Sequence, residues 1–446
     1  MADLLALSSR IIDSGHADEP VNRVTNELSE IAPDLALVES FSHAAVWDSG
    51  AGLVSFDTSG THTGADVVAS IRTWRPNTAF SHLIYTHGHA DHVGGSGYFA
   101  ADATSRQDPV PQVIGHSNVA VRLDRYELTG LWNLYINARQ FGGLRSELNL
   151  RVGGEDDGSI AMWVPPSARR FLPTSVVRPT TEIGDSASMM IGDQRVEFFH
   201  DKGETDDHLW TWLPERKWLF SGDFIIWNFP NAGNPQKVQR YPREWAAALR
   251  KMSAVGPELL IPAHGLPIEG RDRIARVLDE IATALEDLEN AVLAMMNAGE
   301  TLDAIVHTVR VPDDTLAKPY LRPFYDEPEF VIRNIWRRYG GWWDGAPSRL
   351  KPSPDAKLAT AIAELAGGAQ RLIERAEQAQ DAGDVRLASH LADLAAWAAP
   401  DDAAIHEVRA RLYIARRKTE TSLMAKGIFL GAAKESQAVV DGLTSN

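Results

Sequence analysis

The run Thr86-His87-Gly88-His89-Ala90-Asp91-His92 lies directly behind the apolar stretch His82 to Tyr85 and ahead of Gly94 and Gly95. That stretch reads as a β-strand, so the loop at its end delivers four potential metal ligands: His87, His89, Asp91 and His92. In a tight turn, residues two apart can point the same way. His87 and His89 can then grip one metal while Asp91 and His92 turn toward a second. A lone histidine is ordinarily a core or surface residue, but four such side chains in six residues after a strand read as a metal site. The sequence contains no cysteine, which excludes thiolate ligands, a cysteine nucleophile and a disulfide framework. Any metal therefore rests on His, Asp and Glu, with zinc the default and manganese or iron left open.

Further ligands have to come from other strand ends, and three are available. Glu204 follows Lys202 and Gly203 after the strand candidate Val196 to Phe199, Asp223 follows Ser221 and Gly222 after Trp218 to Phe220, and His264 follows Pro262 and Ala263 after Leu259 to Ile261. Other strand candidates are Ala36 to Val38 with Ala44 to Val46, Leu53 to Phe56 and Leu209 to Leu213. Helical stretches such as Gly64 to Arg72 and Glu244 to Val255 fall between them, which predicts sheets layered with helices up to about residue 264. Beyond Ile268 the texture becomes helical: Arg271 to Asn297 reads as one long helix. Leu387, Leu391, Leu394 and Ala398 share a helical face, and Pro400 to Asp402 separate it from a helix over Ala403 to Lys418. Between them, Val311 to Pro354 is dense in Pro, Trp, Tyr and Gly, and reads as a structured connection that folds back to cover its aromatics.

The chain has 446 residues, too many for one ordinary domain, with 44% hydrophobic and 23% charged residues, as in globular proteins. A net charge of -16 argues against nucleic-acid binding. No segment holds 18 consecutive apolar residues and the N-terminus has no basic leader, so the expectation is a soluble, cytoplasmic protein that does not enter the membrane.

The order of motifs, HxHxDH, an acidic or His ligand, Ser-Gly-Asp, then Ala-His-Gly, resembles that of the metallo-β-lactamase superfamily. The segment Gly340-Gly341-Trp342-Trp343-Asp344-Gly345-Ala346-Pro347 resembles the G-W-Y-D-G-N-P segment of alkylsulfatases with a helical dimerisation domain, and the similarity continues through Gly383 to Pro400 and Arg409 to Ala432. This resemblance implies an αβ/βα sandwich over residues 1–300 and an all-α dimerisation domain over 301–446 that pairs two chains. Many such enzymes continue into a sterol-carrier-like third domain; this chain stops at Asn446 and is expected to lack it.

Ungapped alignment with the family places Glu204 on the first glutamate of its T-E-A-P-A-E segment and His208 on the second. The implied ligand sets are His87, His89 and Glu204 on one ion and Asp91, His92 and His264 on the other, with Asp223 and a hydroxide bridging two Zn2+. His208 competes with Glu204 for the third place on the first ion, or faces substrate. The family holds the sulfate group with asparagine and arginines from the stretch aligned with Asn228 to Trp245. The corresponding residues here are Asn231, Asn234, Lys237 and Arg240, although the family's leucine-arginine-glycine is replaced around Gln236 and Lys237.

Tyr135 and Arg139 lie in a stretch that the family places near substrate. Trp132, Phe141, Trp163 and Trp227 are either core or contacts for an alkyl chain.

The implied activity is binuclear zinc-dependent hydrolysis of alkyl sulfates or related small anionic esters, with Asp91 and His208 as the expected catalytic residues. If hydroxide attacks sulfur, a proton donor for the departing alkoxide is needed, and His208 or His116 is the candidate. The alternatives are a carboxyl-ester, lactone or thioester hydrolase on the same scaffold and a mononuclear iron persulfide oxygenase, which shares the HxHxDH loop.

Overall fold

A computed structural model describes residues 3–141 and 170–442. Among the described residues, thirteen strands run as β1 (Leu28–Ala32), β2 (Leu35–Val38), β3 (Ala44–Asp48), β4 (Leu53–Phe56), β5 (Phe80–Ile84), β6 (Gln112–His116), β7 (Thr181–Ile183), β8 (Ser186–Ile191), β9 (Gln194–His200), β10 (Leu209–Leu213), β11 (Trp218–Gly222), β12 (Leu259–Pro262) and β13 (Ile268–Glu269). They form a seven-stranded sheet in the order β1 to β7 and a six-stranded sheet in the order β13-β12-β11-β10-β9-β8. β1 to β4 pair antiparallel, whereas β4, β5, β6 and β7 run parallel through helical crossovers, and β11 pairs parallel with β12. The parallel strands therefore end at the same edge of the molecule.

The two sheets pack face to face over a fully apolar layer, in which Leu37, Trp47 and Val54 of one sheet meet Phe198, Trp210 and Leu219 of the other. Phe56 stacks on Phe220 with ring centroids 3.5 Å apart. The outer face of the first sheet, with Val46, Leu83 and Val113, is covered by the helices Gly64–Trp74, Ser96–Arg106 and Ser117–Leu128, whose Val67, Ile71, Phe99 and Val119 complete a second cluster. The helices Leu4–Ser14, Pro242–Ala254 and Arg271–Asn297 bring Ile11, Leu249 and Leu278 to the sandwich core. This is an αβ/βα sandwich followed by an all-helical region, as expected.

Several strands extend one or two residues beyond their apolar runs, and β1, β6, β7, β8 and β13 were not marked by sequence. β8 carries alternating half-exposed residues and ends on the buried Ile191; it is an edge strand with too little apolar content to stand out.

Sandwich packing continues across residue 300: Ile305, Leu321, Val331 and Ile335 all join its core, and a separate cluster built on Ile373, Ala376, Ala392 and Ala395 begins at Ala363. On the helix Val385–Ala398 the inward stripe is Ala388, Ala392, Ala395 and Ala396, while Leu387 is 40% exposed. The aromatic connection does not cover all its rings, because Trp342 is 68% exposed. Among the described residues, no helix is long and apolar enough to cross a membrane.

Candidate metal centre

All seven expected ligands stand at one edge of the sandwich, at or just beyond strand ends. The chain leaves β5 through Thr86 to His89 and enters a short turn of helix over Ala90–Val93, which aims His87 and His89 one way and Asp91 and His92 another. Asp223 follows β11 directly. Its position depends on Gly222, which has φ 54° and lies so close to β5 that a Cβ there would be 2.7 Å from Thr86 Cβ. His264 follows β12, and Glu204 lies in the turn between β9 and β10.

His87, His89, Glu204 and Asp223 form one group and Asp91, His92 and His264 a second, with the candidate donor atoms of each within 4.8 Å of one another. The two groups share Asp223. Its Oδ2 is 3.9 Å from His87 Nε2, whereas its Oδ1 is 3.4 Å from His92 Nε2 and 3.5 Å from His264 Nε2. Asp91 Oδ2 is 3.6 Å from His92 Nε2 and 3.5 Å from His264 Nε2, and His89 Nδ1 is 3.7 Å from Glu204 Oε1. These gaps are long for hydrogen bonds. The four gaps among Asp91, His92, His264 and Asp223, at 3.4–3.6 Å, come close to the roughly 3.3–3.5 Å between ligand atoms that each stand about 2.0–2.2 Å from a shared ion. The first group is less regular, with gaps of 3.7 and 3.9 Å and His87 Nε2 2.8 Å from His89 Nδ1.

The surroundings of these side chains test whether the set suits divalent ions. His92 Nδ1 is engaged by the buried Asp57 (2.8 Å) and Ser42 (3.0 Å), which leaves Nε2 pointing into the group, buried and without a hydrogen-bond partner. A carboxylate behind an imidazole is the usual way to fix the tautomer of a metal-binding histidine. Asp223 Oδ1 is likewise buried and unpartnered. Burial holds His87 and His89 well below the ordinary histidine range, hence neutral. Burial, reinforced by the neighbouring Asp223 carboxylate, pushes Glu204 up to about 8. Although burial works against their charge, the neighbouring His92 and His264 hold Asp91 and Asp223 below the ordinary carboxylate range. Imidazoles gathered with three carboxylates, Asp91, Glu204 and Asp223, are a donor set that fits divalent cations.

Residues that the sequence reading did not single out support the loop. Asp57, at the end of β4, accepts the Thr86 N–H and Oγ1–H, both at 2.8 Å. Asp207 accepts the Gly88 N–H (3.0 Å) and makes a two-pronged pair with Arg122, at 2.7 Å to Nε and 3.0 Å to Nη2. Asp57 shares the strand-end signal of the ligands. Asp207 lies within the same acidic turn as Glu204 but carries no signal that it would meet Arg122.

Two of the expected anion-binding residues stand against Glu204, and the other two against the helix Gly130–Gln140. Asn231 Nδ2 donates to Glu204 Oε1, and Arg240 Nη1 donates to the Glu204 main-chain carbonyl (2.6 Å) and carboxylate (2.8 Å). Asn234 donates to Gln140 Oε1 (3.2 Å) and Lys237 Nζ to Asn137 Oδ1 (2.9 Å). All four line a cavity of about 1010 Å³ that also reaches His89, Asp91, Glu204, Asp223 and His264. Burial pushes the Lys237 ammonium down to about 7.

Trp132, Phe141 and Ile136 contribute apolar wall. Tyr135 is not on that wall and is 39% exposed; Trp227 is buried in the core, where its Nε1 donates to Leu266 O; Trp163 lies outside the described residues. Arg139 instead reaches Gln236 Oε1 at 3.5 Å. His208 and His116 are also absent from the cavity wall. His208 sits behind Asp223, accepting its N–H at Nε2 (3.2 Å) and stacking on Phe224, and His116 stacks on His200.

Residues 75–264 match the family model described as Metallo-beta-lactamase superfamily, and residues 301–438 match the one described as Alkyl sulfatase dimerisation. Neither match spans half of the chain. A linear primary-alkylsulfatase of Pseudomonas is 26% identical to this chain over 365 residues, 81% of this chain and 67% of that one. An alkyl/aryl-sulfatase of Saccharomyces cerevisiae is 23% identical over 387 residues, 85% of this chain and 58% of that one. The solved structure of Pisa1, an inverting sec-alkylsulfatase from Pseudomonas, superposes with a TM-score of 0.78 at 21% identity, covering 92% of this chain and 66% of that one. The chain therefore spans between about half and two thirds of the length of the curated relatives it matches.

Proposed function

We propose that this protein is a binuclear metal-dependent hydrolase of alkyl sulfates or closely related anionic esters. The observation that carries the reading is Asp223, whose two oxygens face separate ligand groups at the mouth of one cavity. In this reading His87, His89 and Glu204 would hold one ion and Asp91, His92 and His264 the other, Asp223 would serve both, and zinc would be the native metal. Two such ions, when bound, supply an attacking water of lowered pKa and neutralise charge that develops on the ester.

The chain's own residues account for preference among esters. Arg125, Arg322 and Arg337 line the cavity and rest on neutral partners, the Tyr126 ring, the Phe324 ring and Gln239, while Lys237 donates to Asn137 with its charge weakened by burial. Positive charge facing a cavity in a chain of net charge -16 suits a substrate that is itself an anion. Asn231 and Asn234 offer amide N–H groups beside it, and Trp132, Ile136 and Phe141 form an apolar wall for the organic part. His208, behind Asp223, is assigned a positioning role. We further propose that the exposed Leu358, Leu365 and Leu387 of the C-terminal helices mark the face through which two chains pair, and that the protein acts in the cytoplasm.

Turnover by the metal-loaded protein on a panel of sulfate, phosphate and carboxyl esters tests the substrate class. Sulfate esters are expected to be hydrolysed fastest; hydrolysis confined to neutral carboxyl esters or lactones would contradict the proposal.

A further inference from the structure

The helix Leu423–Val440 lies in the C-terminal region, yet it stands against the helix Gly130–Gln140 that walls the cavity. Gly427 is buried at this crossing and has no room for a side chain. A Cβ there would be 1.7 Å from the Gln140 carbonyl oxygen, 2.5 Å from its carbon and 3.2 Å from Phe141 N.

Gln140 is 1% exposed, and its amide joins two further residues. Its Nε2 donates to Tyr325 Oη (2.7 Å), and its Oε1 accepts from Asn234 Nδ2 (3.2 Å). The other end of the Asn234 amide is also fixed, because Oδ1 accepts from Gln236 N (3.0 Å). Tyr325 is tied to the start of the C-terminal helix: Ser422 Oγ donates to its carbonyl (3.0 Å), and Leu423 N donates to Phe324 O (2.7 Å). Leu423, Gln140, Asn234 and Tyr325 all line the cavity.

From this network we infer that the C-terminal helical region is part of the substrate site, with Gly427 and Gln140 as positioning residues that set where Asn234 meets the anionic group of the ester. The inference rests on the reading of Asn234 as an anion ligand. A methyl group at position 427 has to separate the two helices by an ångström or more, because packed helices do not absorb such an overlap. A displacement of that size breaks the 3.2 Å bond to Asn234.

The test compares Gly427→Ala, Gln140→Ala and Asn234→Ala in the metal-loaded full chain. The readouts are steady-state turnover of decyl sulfate and calorimetric binding of inorganic sulfate, with metal content and molecular mass as controls. Each variant is expected to raise KM and the sulfate Kd about tenfold, the worth of one hydrogen bond to a charged group. kcat stays within about twofold and metal content is unchanged. Combining Gly427→Ala with Gln140→Ala is expected to do no more harm than either alone.

If Asn234→Ala weakens sulfate binding while the other two leave it unchanged, the inference fails and the anion-pocket reading stands. If Asn234→Ala has no effect, both fall. Gln140→Ala introduces no overlap, so it decides the matter should Gly427→Ala not fold.

Discussion

Arg240 donates one guanidinium nitrogen to both the main-chain carbonyl and the carboxylate of Glu204, at 2.6 and 2.8 Å, and is 2% exposed. An arginine expected from sequence to grip the substrate anion is thus engaged with a candidate metal ligand. Arg240→Ala is accordingly expected to lower turnover of a sulfate ester and of a neutral carboxyl ester alike, by roughly 10- to 100-fold, as for other residues that orient metal ligands. Parallel assays of the two esters decide this; a loss confined to the sulfate ester would return Arg240 to the anion pocket.

Asp207 and Arg122 form a buried pair that holds the Gly88 N–H. Although burial works against its charge, the Arg122 guanidinium holds the Asp207 carboxyl at about 2. Asp207→Ala leaves Arg122 buried without its counter-charge and is expected to cost about 3–5 kcal/mol of stability. Asp206, which meets the same guanidinium from a site 46% exposed, should cost under about 1 kcal/mol when changed to alanine. Denaturant titration of both variants checks the contrast, and equal losses would mean that the pair does not brace the loop.

Glu327 precedes the helix Pro328–Gly340 and is pushed up to about 7, by burial first and then by the carboxylates of Glu420, Glu329 and Asp326. Its folded pKa lies above the ordinary glutamate value, so the folded chain binds the proton more tightly. The resulting stability is present below about 4.5 and is lost as pH rises through about 7. Glu327→Gln should therefore match the parent at pH 4.5 and exceed it at pH 8, by roughly 1–2 kcal/mol once solvent screening is allowed for. Thermal melts at the two pH values measure this; a variant less stable at pH 8 would contradict it.

Much of the candidate metal centre was legible because its residues share one local rule: each follows an apolar strand. His87 to His92, Asp223 and His264 obey it, as does Asp57, which the same rule would have found. Arg240 was legible as a cation but not as a partner of Glu204, since residues 36 positions apart meet only through the fold. Arg122 with Asp207 and Gly427 with Gln140 fail for the same reason. His208, just before β10, looked available because it is polar and near a ligand in the chain; it lies against the His87 ring and the Asp223 N–H, contacts that only the fold brings together. The inward stripe of the helix Val385–Ala398 is alanine because the neighbouring helices approach closely, so the leucine spacing marked the more open face.

A two-ion centre that depends on Asp223 is tested by the number of metal ions bound per chain in the parent and in Asp223→Ala, each reconstituted with zinc and counted by elemental analysis against protein mass. About two per chain are expected in the parent and clearly fewer in the variant, because one side chain serves both positions. One ion per chain in the parent, or two retained in Asp223→Ala, would contradict it.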